Sequence, residues 1–244
     1  MRVFLKIEYD GTNYCGWQIQ PNGLSVQQVV EKAILSLTGE DVCITGSGRT
    51  DSGVHALGQV AHFDTQSSIP AEKFASALNQ FLPEDVKVVE SYKVDSEMHA
   101  RFSAKRKTYR YSVYQSKHPR PLIDRYSARV EFPLDISAMQ KACQKFIGAH
   151  DFIGFSSTGS DVKDTVREIY SASVESCGEQ ILFTVCGNGF LYNMVRIMAG
   201  TLVAVGLGKI SPDEMDSVIL SKNRKKAGAT MPPRGLTLVN VEYC

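Results

Sequence analysis

The hydrophobic pattern changes its period along the first forty residues, and each change predicts an element. Val3, Leu5 and Ile7 alternate with more polar residues, which predicts a half-buried strand that ends before Asp10-Gly11. Hydrophobic residues then recur at helical spacing from 26 to 37. The sequence Ser25-x-x-Gln28 before them is typical of a capping box, and Gly39 lies just past the end. A helix therefore follows the first strand.

The same analysis predicts the remaining elements of the first hundred residues. They are strands over 42–45, 57–64 and 86–94, and a helix that begins at Pro70. The order over residues 1–95 is then β-α-β-β-α-β, which is the ferredoxin-like arrangement.

A related series follows. It comprises strands over 108–114, 169–174, 181–186 and 236–243, a helix capped by Asp135, and helices over 190–205 and 212–220. The predicted fold class is α+β. We divide the chain into two ferredoxin-like halves, residues 1–104 and 105–244, of which the first carries the loop described below.

Composition and charge narrow the class of protein. The 244 residues are 43% hydrophobic and 22% charged, which is ordinary for a globular chain and excludes intrinsic disorder. The net charge is only +1, yet residues 101–129 carry nine basic side chains against one acid, and residues 222–234 carry five basic side chains and no acid. Tyrosines lie within the first cluster. Cations mixed with tyrosines can hold phosphates and stack bases, and the alternative is that these charges are only solvated surface residues.

The six cysteines contain no Cys-x-x-Cys pair, and no histidine stands at zinc-finger spacing from them. We therefore expect no metal site and reduced cysteines in a cytoplasmic protein. The chain starts without a hydrophobic signal core, and its most apolar stretch, 190–207, contains Asn193 and Arg196. We expect no membrane segment.

One glycine-rich loop, residues 46–56, is the candidate catalytic segment. Asp51 lies in its middle, two residues after Arg49. A phosphate-binding loop would need a lysine that is missing here, and a calcium loop would need further carboxylates at alternate positions. A capped turn, in which Asp51 only bonds nearby backbone N–H groups, is the structural alternative.

The amino-acid sequence of this loop is similar to a known family signature. Residues 48–56, Gly-Arg-Thr-Asp-Ser-Gly-Val-His-Ala, resemble that of the tRNA pseudouridine synthase A family. Further blocks in the family's order extend the resemblance over essentially the whole chain. They are 9–12 with 14–18, 100–104 with 109–111, 150–152, and 190–196.

The resemblance implies an isomerase that converts uridine to pseudouridine at positions 38, 39 and 40 in the anticodon stem-loop of tRNA. It implies a homodimer without a cofactor, in which the antiparallel sheets of the two halves join and the active site lies in the cleft between them. Asp51 matches the catalytic aspartate, Arg196 its ion-pair partner and Tyr109 the tyrosine that stacks on the extruded uracil. Arg49 is a further candidate for substrate binding.

The chemistry explains why one carboxylate suffices. The bond between sugar C1′ and base N1 breaks, and the uracil rejoins through C5, so no group is added and no electrons are exchanged. The sequence leaves open whether Asp51 attacks the sugar or removes a sugar proton. It also leaves open whether Arg196 is a surface arginine and whether Leu236 or Leu238 lines the site.

Two other functions compete with this hypothesis. A noncatalytic RNA-binding protein would account for the basic residues and tyrosines, but not for the glycine-rich loop or Arg196. A small-molecule enzyme with a phosphate-binding loop would leave the clustered basic residues unexplained.

Overall fold

A computed structural model describes residues 1–157 and 164–243. It contains two compact units. The first unit is Met1–Lys105 together with the chain from Thr237 onward, and the second is Arg106–Leu236. No helix in the described part of the chain is long and apolar enough to cross a membrane.

The sheet of the first unit is built from four strands in the first hundred residues and one from the C-terminal end. The strands are β1 (Arg2–Tyr9), β2 (Thr45–Gly46), β3 (His55–Asp64), β4 (Val86–Val94) and β10 (Leu236–Glu242). β1 lies between β4 and β3 and is antiparallel to both, and β2 is antiparallel to β3. Thr237 and Leu238 of β10 pair with β3 in parallel.

Helix α1 (Val26–Thr38) begins and ends where the sequence predicts. The Ser25 hydroxyl accepts a hydrogen bond from the Gln28 N–H, and Gly39 closes the helix with a φ of 74°. That left-handed conformation costs glycine little because it has no Cβ. The second helix begins at Pro70 as a 3-10 turn and continues as the short α2 (Phe74–Leu78).

The predicted strand over 42–45 is wrong in its extent, since β2 covers only two residues. The reason is local competition for the backbone. The Ile44 N–H donates to the Glu31 carboxylate at 2.9 Å, and the Ile44 carbonyl accepts from the Gln27 side chain at 3.3 Å. Side chains of α1 therefore satisfy the peptide groups that a neighbouring strand would have used.

The sheet of the second unit has the spatial order β5-β9-β8-β7, with the short β6 in parallel to β5. Its strands are β5 (Arg106–Gln115), β6 (Ala128–Val130), β7 (Gly148–Asp151), β8 (Val166–Cys177) and β9 (Gln180–Gly187). The sequence analysis predicts β5, β8 and β9 and misses the shorter β6 and β7.

The helices of the second unit are α3 (Pro121–Asp124), α4 (Ile136–Cys143), α5 (Met194–Gly206) and α6 (Met215–Leu220). Asp135 caps α4 as predicted, with its carboxylate accepting from the Ala138 N–H. The prediction that α5 starts at residue 190 is wrong. Asn193 adopts a left-handed φ of 61°, so the helix cannot extend back through it.

The compact units differ from the predicted halves in two respects, because Lys105 and the chain from Thr237 onward both belong with the first unit. The pairing of Thr237 and Leu238 with β3 supplies contacts for that C-terminal segment. The division into halves 1–104 and 105–244 stays a prediction about how the fold is built.

Candidate active site

The glycine-rich loop between β2 and β3 is hydrogen-bonded to β3 where it begins. The Ser47 N–H donates to the Val60 carbonyl at 2.7 Å, and the Ser47 hydroxyl donates to Gln59 Oε1 at 2.7 Å. The amide of Gln59, which is fully buried, donates to the Gly48 carbonyl at 2.9 Å. A buried amide with these partners fixes the loop's first turn.

The segment that follows β1 holds the middle of the loop. The Trp17 N–H donates to the Thr50 carbonyl at 3.1 Å. The Tyr14 carbonyl accepts from the Gly53 N–H at 3.3 Å and from the Ser52 hydroxyl at 3.2 Å. Gly16 permits this approach, since a Cβ there would lie 2.5 Å from the Thr50 carbonyl oxygen and its φ is +106°. The residues on both sides of Asp51 are thus held from one segment.

A buried hydroxyl pair lies beneath the loop. Tyr9 Oη and Thr50 Oγ1 are 2.7 Å apart, and both residues are buried. Burial raises the pKa of Tyr9 well above its usual value, with the Thr50 hydrogen bond acting in the opposite direction. The phenol therefore stays neutral at neutral pH.

Asp85, directly before β4, holds Tyr14 from the other side. The Tyr14 hydroxyl donates to Asp85 Oδ1 at 2.6 Å, and the Asn13 amide donates to Oδ2 at 3.2 Å. Burial is the main reason that the pKa of Tyr14 lies above its usual range, and the Asp85 carboxylate raises this pKa further. The sequence analysis missed Asp85 as a residue of the site, because it lies 34 positions from Asp51 and in no glycine-rich context.

Asp51 itself is half-buried and Arg49 is exposed. The Asp51 carbonyl accepts from the Val54 N–H at 3.1 Å, which closes a turn in the backbone. A carboxylate on so constrained a backbone is suited to nucleophilic or general-base chemistry, because the reacting group loses little freedom in reaching its position.

Tyr109 lies on β5 in the second unit, opposite Val185 of β9. It is 8% exposed, and its ring meets the Phe190 ring edge-on with centroids 5.1 Å apart. Tyr111 on the same strand is 1% exposed and donates its hydroxyl to the Pro232 carbonyl at 2.7 Å. Tyr111 is therefore a core tyrosine.

Arg196 lies on the first turn of α5 and is half-buried. Its Nε donates to the Met231 carbonyl at 2.7 Å, and one terminal nitrogen donates to Asn193 Oδ1 at 2.5 Å. The Met231 N–H returns a bond to the Arg196 carbonyl at 3.3 Å. Asn193, in its left-handed conformation, thus both begins the helix and orients the guanidinium.

The segment that carries Met231 rests on α5 at a glycine. A Cβ on Gly200 would lie 1.8 Å from the Ala229 carbonyl oxygen. Nearby, the Gly228 N–H donates to the Thr201 hydroxyl at 2.8 Å. Gly200 is therefore the position that lets residues 228–231 approach α5 and reach Arg196.

Several residues of the two basic clusters take part in contacts within the second unit. Arg120 pairs with Glu179, Arg234 with Asp124 at 3.3 Å, and Lys222 with Asp151 at 2.7 Å. Two side-chain contacts lower the pKa of the Asp151 carboxyl. The contact with Lys222 has the larger effect, and the hydrogen bond from the Thr165 hydroxyl has the smaller one. The exposed members of the two clusters include Arg101, Lys105, Arg106, Lys117, Lys225 and Lys226.

The described residues contain no group of three or more His, Cys, Asp or Glu side chains that can hold a metal ion. Five cysteines, at 15, 43, 143, 177 and 186, are present as free thiols, and Cys244 lies outside the described residues.

The family model described as tRNA pseudouridine synthase matches residues 6–103 and 142–244, which is most of the chain. The chain belongs to the tRNA pseudouridine synthase family. The members of this family are isomerases. The matched segments contain Asp51, Arg49 and Arg196, and Tyr109 lies between them.

Curated relatives match at full length. The tRNA pseudouridine synthase A of Ruminiclostridium cellulolyticum is 51% identical over 243 residues and that of Acetivibrio thermocellus 51% identical over 241, each alignment covering 99% of both chains. A crystal structure of a Cbf5-Nop10-Gar1 complex matches at 15% identity with a TM-score of 0.37, over 96% of this chain and 47% of that one. That similarity is too distant to support an argument.

Proposed function

We propose that this member of the tRNA pseudouridine synthase family isomerises uridine to pseudouridine at positions 38, 39 and 40 in the anticodon stem-loop of tRNA. The observation that carries the proposal is the loop that presents Asp51 on a backbone hydrogen-bonded from both sides. Full-length similarity to synthases named for this modification supports it.

In the proposed reaction Asp51 either attacks the sugar or removes a sugar proton. If Asp51 attacks, its bond to C1′ forms as the C1′–N1 bond breaks, and that new bond breaks when C5 of the turned uracil bonds to C1′. If Asp51 removes a sugar proton instead, the proton returns to the sugar when C5 bonds to C1′. C5 then loses its proton and N1 gains one, so no co-reactant is needed. Tyr109 stacks on the extruded base, and Arg196 pairs with Asp51 and keeps it charged.

The proposed architecture is two ferredoxin-like halves whose sheets join, with the active site in the cleft between them. Support comes from each unit separately. In the first, the strand order β4-β1-β3-β2 is antiparallel throughout, as in ferredoxin-like sheets. In the second, β5, α4, β8, β9 and α5 follow in the matching chain order, and β9 lies between β5 and β8.

We further propose a homodimer that acts in the cytoplasm and docks tRNA through the exposed members of the basic clusters. Stacking of one base on an aromatic ring contributes only about 1–3 kcal/mol, and extruding a paired base costs a few kcal/mol. Contacts from lysine and arginine to phosphates must therefore supply the remainder of the binding energy.

Mapping of the product tests this function. The purified protein is incubated with a tRNA transcript that has uridine at positions 38, 39 and 40, and with a control transcript that has cytidine there. We expect pseudouridine at those positions in the first transcript and none in the second. RNA binding without product would favour the noncatalytic RNA-binding alternative, and product only at other positions would refute the proposed site selection.

A further inference from the structure

An aromatic ring on the turn between β4 and β5 is exposed to solvent. Phe102 is 76% exposed, more than any other aromatic residue in the described part of the chain. A phenylalanine in the hydrophobic core would be expected to lose nearly all of its accessible surface. The reaction proposed above gives this ring no role.

The turn beneath Phe102 is closed upon His99. The backbone N–H groups of Arg101 and Phe102 donate to His99 Nδ1 at 3.1 and 3.3 Å. The Ser103 N–H donates to the His99 carbonyl at 2.9 Å, and the His99 N–H donates back to the Ser103 hydroxyl at 3.0 Å. The His99 ring lies under the Phe102 ring with centroids 4.4 Å apart and planes tilted by 33°.

The body of the first unit holds this turn in place. The Ala100 N–H donates to Nδ1 of His62 at 3.1 Å, and the Ala100 carbonyl accepts from the Tyr243 hydroxyl at 2.8 Å. Burial, then the charge of Arg2, lowers the pKa of His62 to about 4. The His62 ring is therefore neutral at neutral pH, and its Nδ1 remains an acceptor. Arg2 also donates to the Met98 carbonyl at 3.0 Å.

Cations accompany the exposed ring. The Arg101 guanidinium carbon lies 5.6 Å from the centre of the Phe102 ring. Residues 101–107 contain four basic side chains and no acid, and Arg101 and Lys105 are exposed. A fixed aromatic ring next to cations matches the two chemistries of an unpaired nucleotide, a flat base and an anionic phosphate.

We propose that Phe102 is a stacking site for an unpaired base of the RNA substrate, with Arg101 and Lys105 contacting the adjoining phosphates. This inference rests on the proposed function, which identifies the ligand as RNA. It adds a base-binding position to that of Tyr109. Because His99 and its partners hold the turn, the ring loses little conformational freedom on binding, which favours affinity.

Substitutions at Phe102 test the site through tRNA affinity. Phe102→Leu keeps an apolar side chain but removes the aromatic face, and Phe102→Tyr keeps that face. We expect Phe102→Leu to raise the Kd for tRNA about 5- to 150-fold, the range that loss of one base stack gives. Phe102→Tyr should stay within about twofold of wild type. Melting temperatures should not change, since the side chain is exposed.

Phe132 supplies a matched control. It is 63% exposed, lies in the other unit and follows Glu131 rather than a basic residue. Phe132→Leu should bind tRNA as wild type does. Equal affinity of Phe102→Leu and wild type, or an equal loss in Phe132→Leu, would overturn the stacking site. Product formation by wild type, measured in the same preparation, tests the proposed function separately.

A fluorescent variant gives a direct signal. The chain has one tryptophan, Trp17, which is 3% exposed. In Phe102→Trp, the added exposed indole should be quenched by single-stranded RNA. An abasic strand of equal length and charge should leave it unquenched. Equal quenching by both strands would mean that phosphates alone are sensed, and would contradict base stacking.

Discussion

At the scale of single residues, the site depends on polar groups that have partners inside the protein. Tyr14 is the clearest case, because its hydroxyl and its carbonyl face different parts of the site. The hydroxyl donates to Asp85, and the carbonyl accepts from Ser52 and Gly53 next to Asp51. Asp85 is therefore connected to the Asp51 loop through one side chain and one peptide group.

Tyr14→Phe should lower kcat by about 10- to 100-fold while the Kd for tRNA stays within about twofold, because a small displacement of a reacting group is costly. Removing a hydrogen bond to a carboxylate should also lower the free energy of unfolding by about 1.5–3 kcal/mol. Single-turnover kinetics and denaturant unfolding measure the two effects.

Tyr114→Phe is the matched control, since the Tyr114 hydroxyl donates to Asp124 at 2.9 Å in the second unit. We expect a similar loss of stability and an unchanged kcat. A kcat that falls equally in both variants would show that Tyr14 acts only on general stability and does not position the loop.

At the scale of elements, the sequence predicts best where local signals determine the structure. Ser25 and Gly39 define α1, and alternation defines β1. Prediction is poorer where the hydrophobic pattern does not carry the cause. β2 is short because side chains of α1, 13 and 17 residues away from Ile44, bind its peptide groups. α5 starts late because Asn193 is left-handed, a backbone conformation that hydrophobic spacing does not reveal.

The residues of the candidate site also differ in whether the local sequence reveals them. The Asp51 loop can be recognised from its own residues, since its glycines and the aspartate lie close together in the sequence. The contacts of Arg196 with Met231 cannot, because 35 residues separate the two. Gly200 makes that contact sterically possible, although a glycine within a helix usually signals only lower helix propensity.

Gly200→Ala should therefore be destabilising although alanine favours helices. The added Cβ would overlap the Ala229 carbonyl, displace residues 228–231 and remove the acceptor of Arg196 Nε. We expect a loss of about 3 kcal/mol in the free energy of unfolding, together with a lower kcat.

Gly206→Ala at the end of the same helix is the control. Its Cβ would meet the ends of the Met139 and Leu134 side chains, which can move. The gain in helix propensity, about 1 kcal/mol, then offsets the repacking. Should Gly200→Ala prove as stable and as active as Gly206→Ala, residues 228–231 are not what orients Arg196.

At the scale of the whole molecule, the proposed reaction uses groups from both compact units. Asp51 and Arg49 belong to the first unit, and Tyr109 and Arg196 belong to the second. Stability measurements test the proposed ion pair between Asp51 and Arg196 without an assay of activity.

We expect Arg196→Met and Asp51→Asn to be coupled. If the pair forms, the double variant loses less stability than the sum of the single variants, by about 0.5–3 kcal/mol. Asp151→Asn provides the control cycle, because Asp151 is bonded to Lys222 and Thr165. Its combination with Arg196→Met should be additive. Additive behaviour in the Asp51 cycle would place Arg196 outside the catalytic pair.

Pseudouridine formation by Asp51→Asn, measured under single-turnover conditions with saturating protein, tests directly whether Asp51 performs the reaction. The amide can neither attack a sugar carbon nor accept a proton, and loss of such a group typically costs on the order of 10⁴–10⁶ in rate. Asp135→Asn is the control, since asparagine also caps helices. We predict near-complete loss of product for Asp51→Asn with tRNA affinity retained, and wild-type turnover for Asp135→Asn. Turnover by Asp51→Asn at a tenth of the wild-type rate or more would contradict the account.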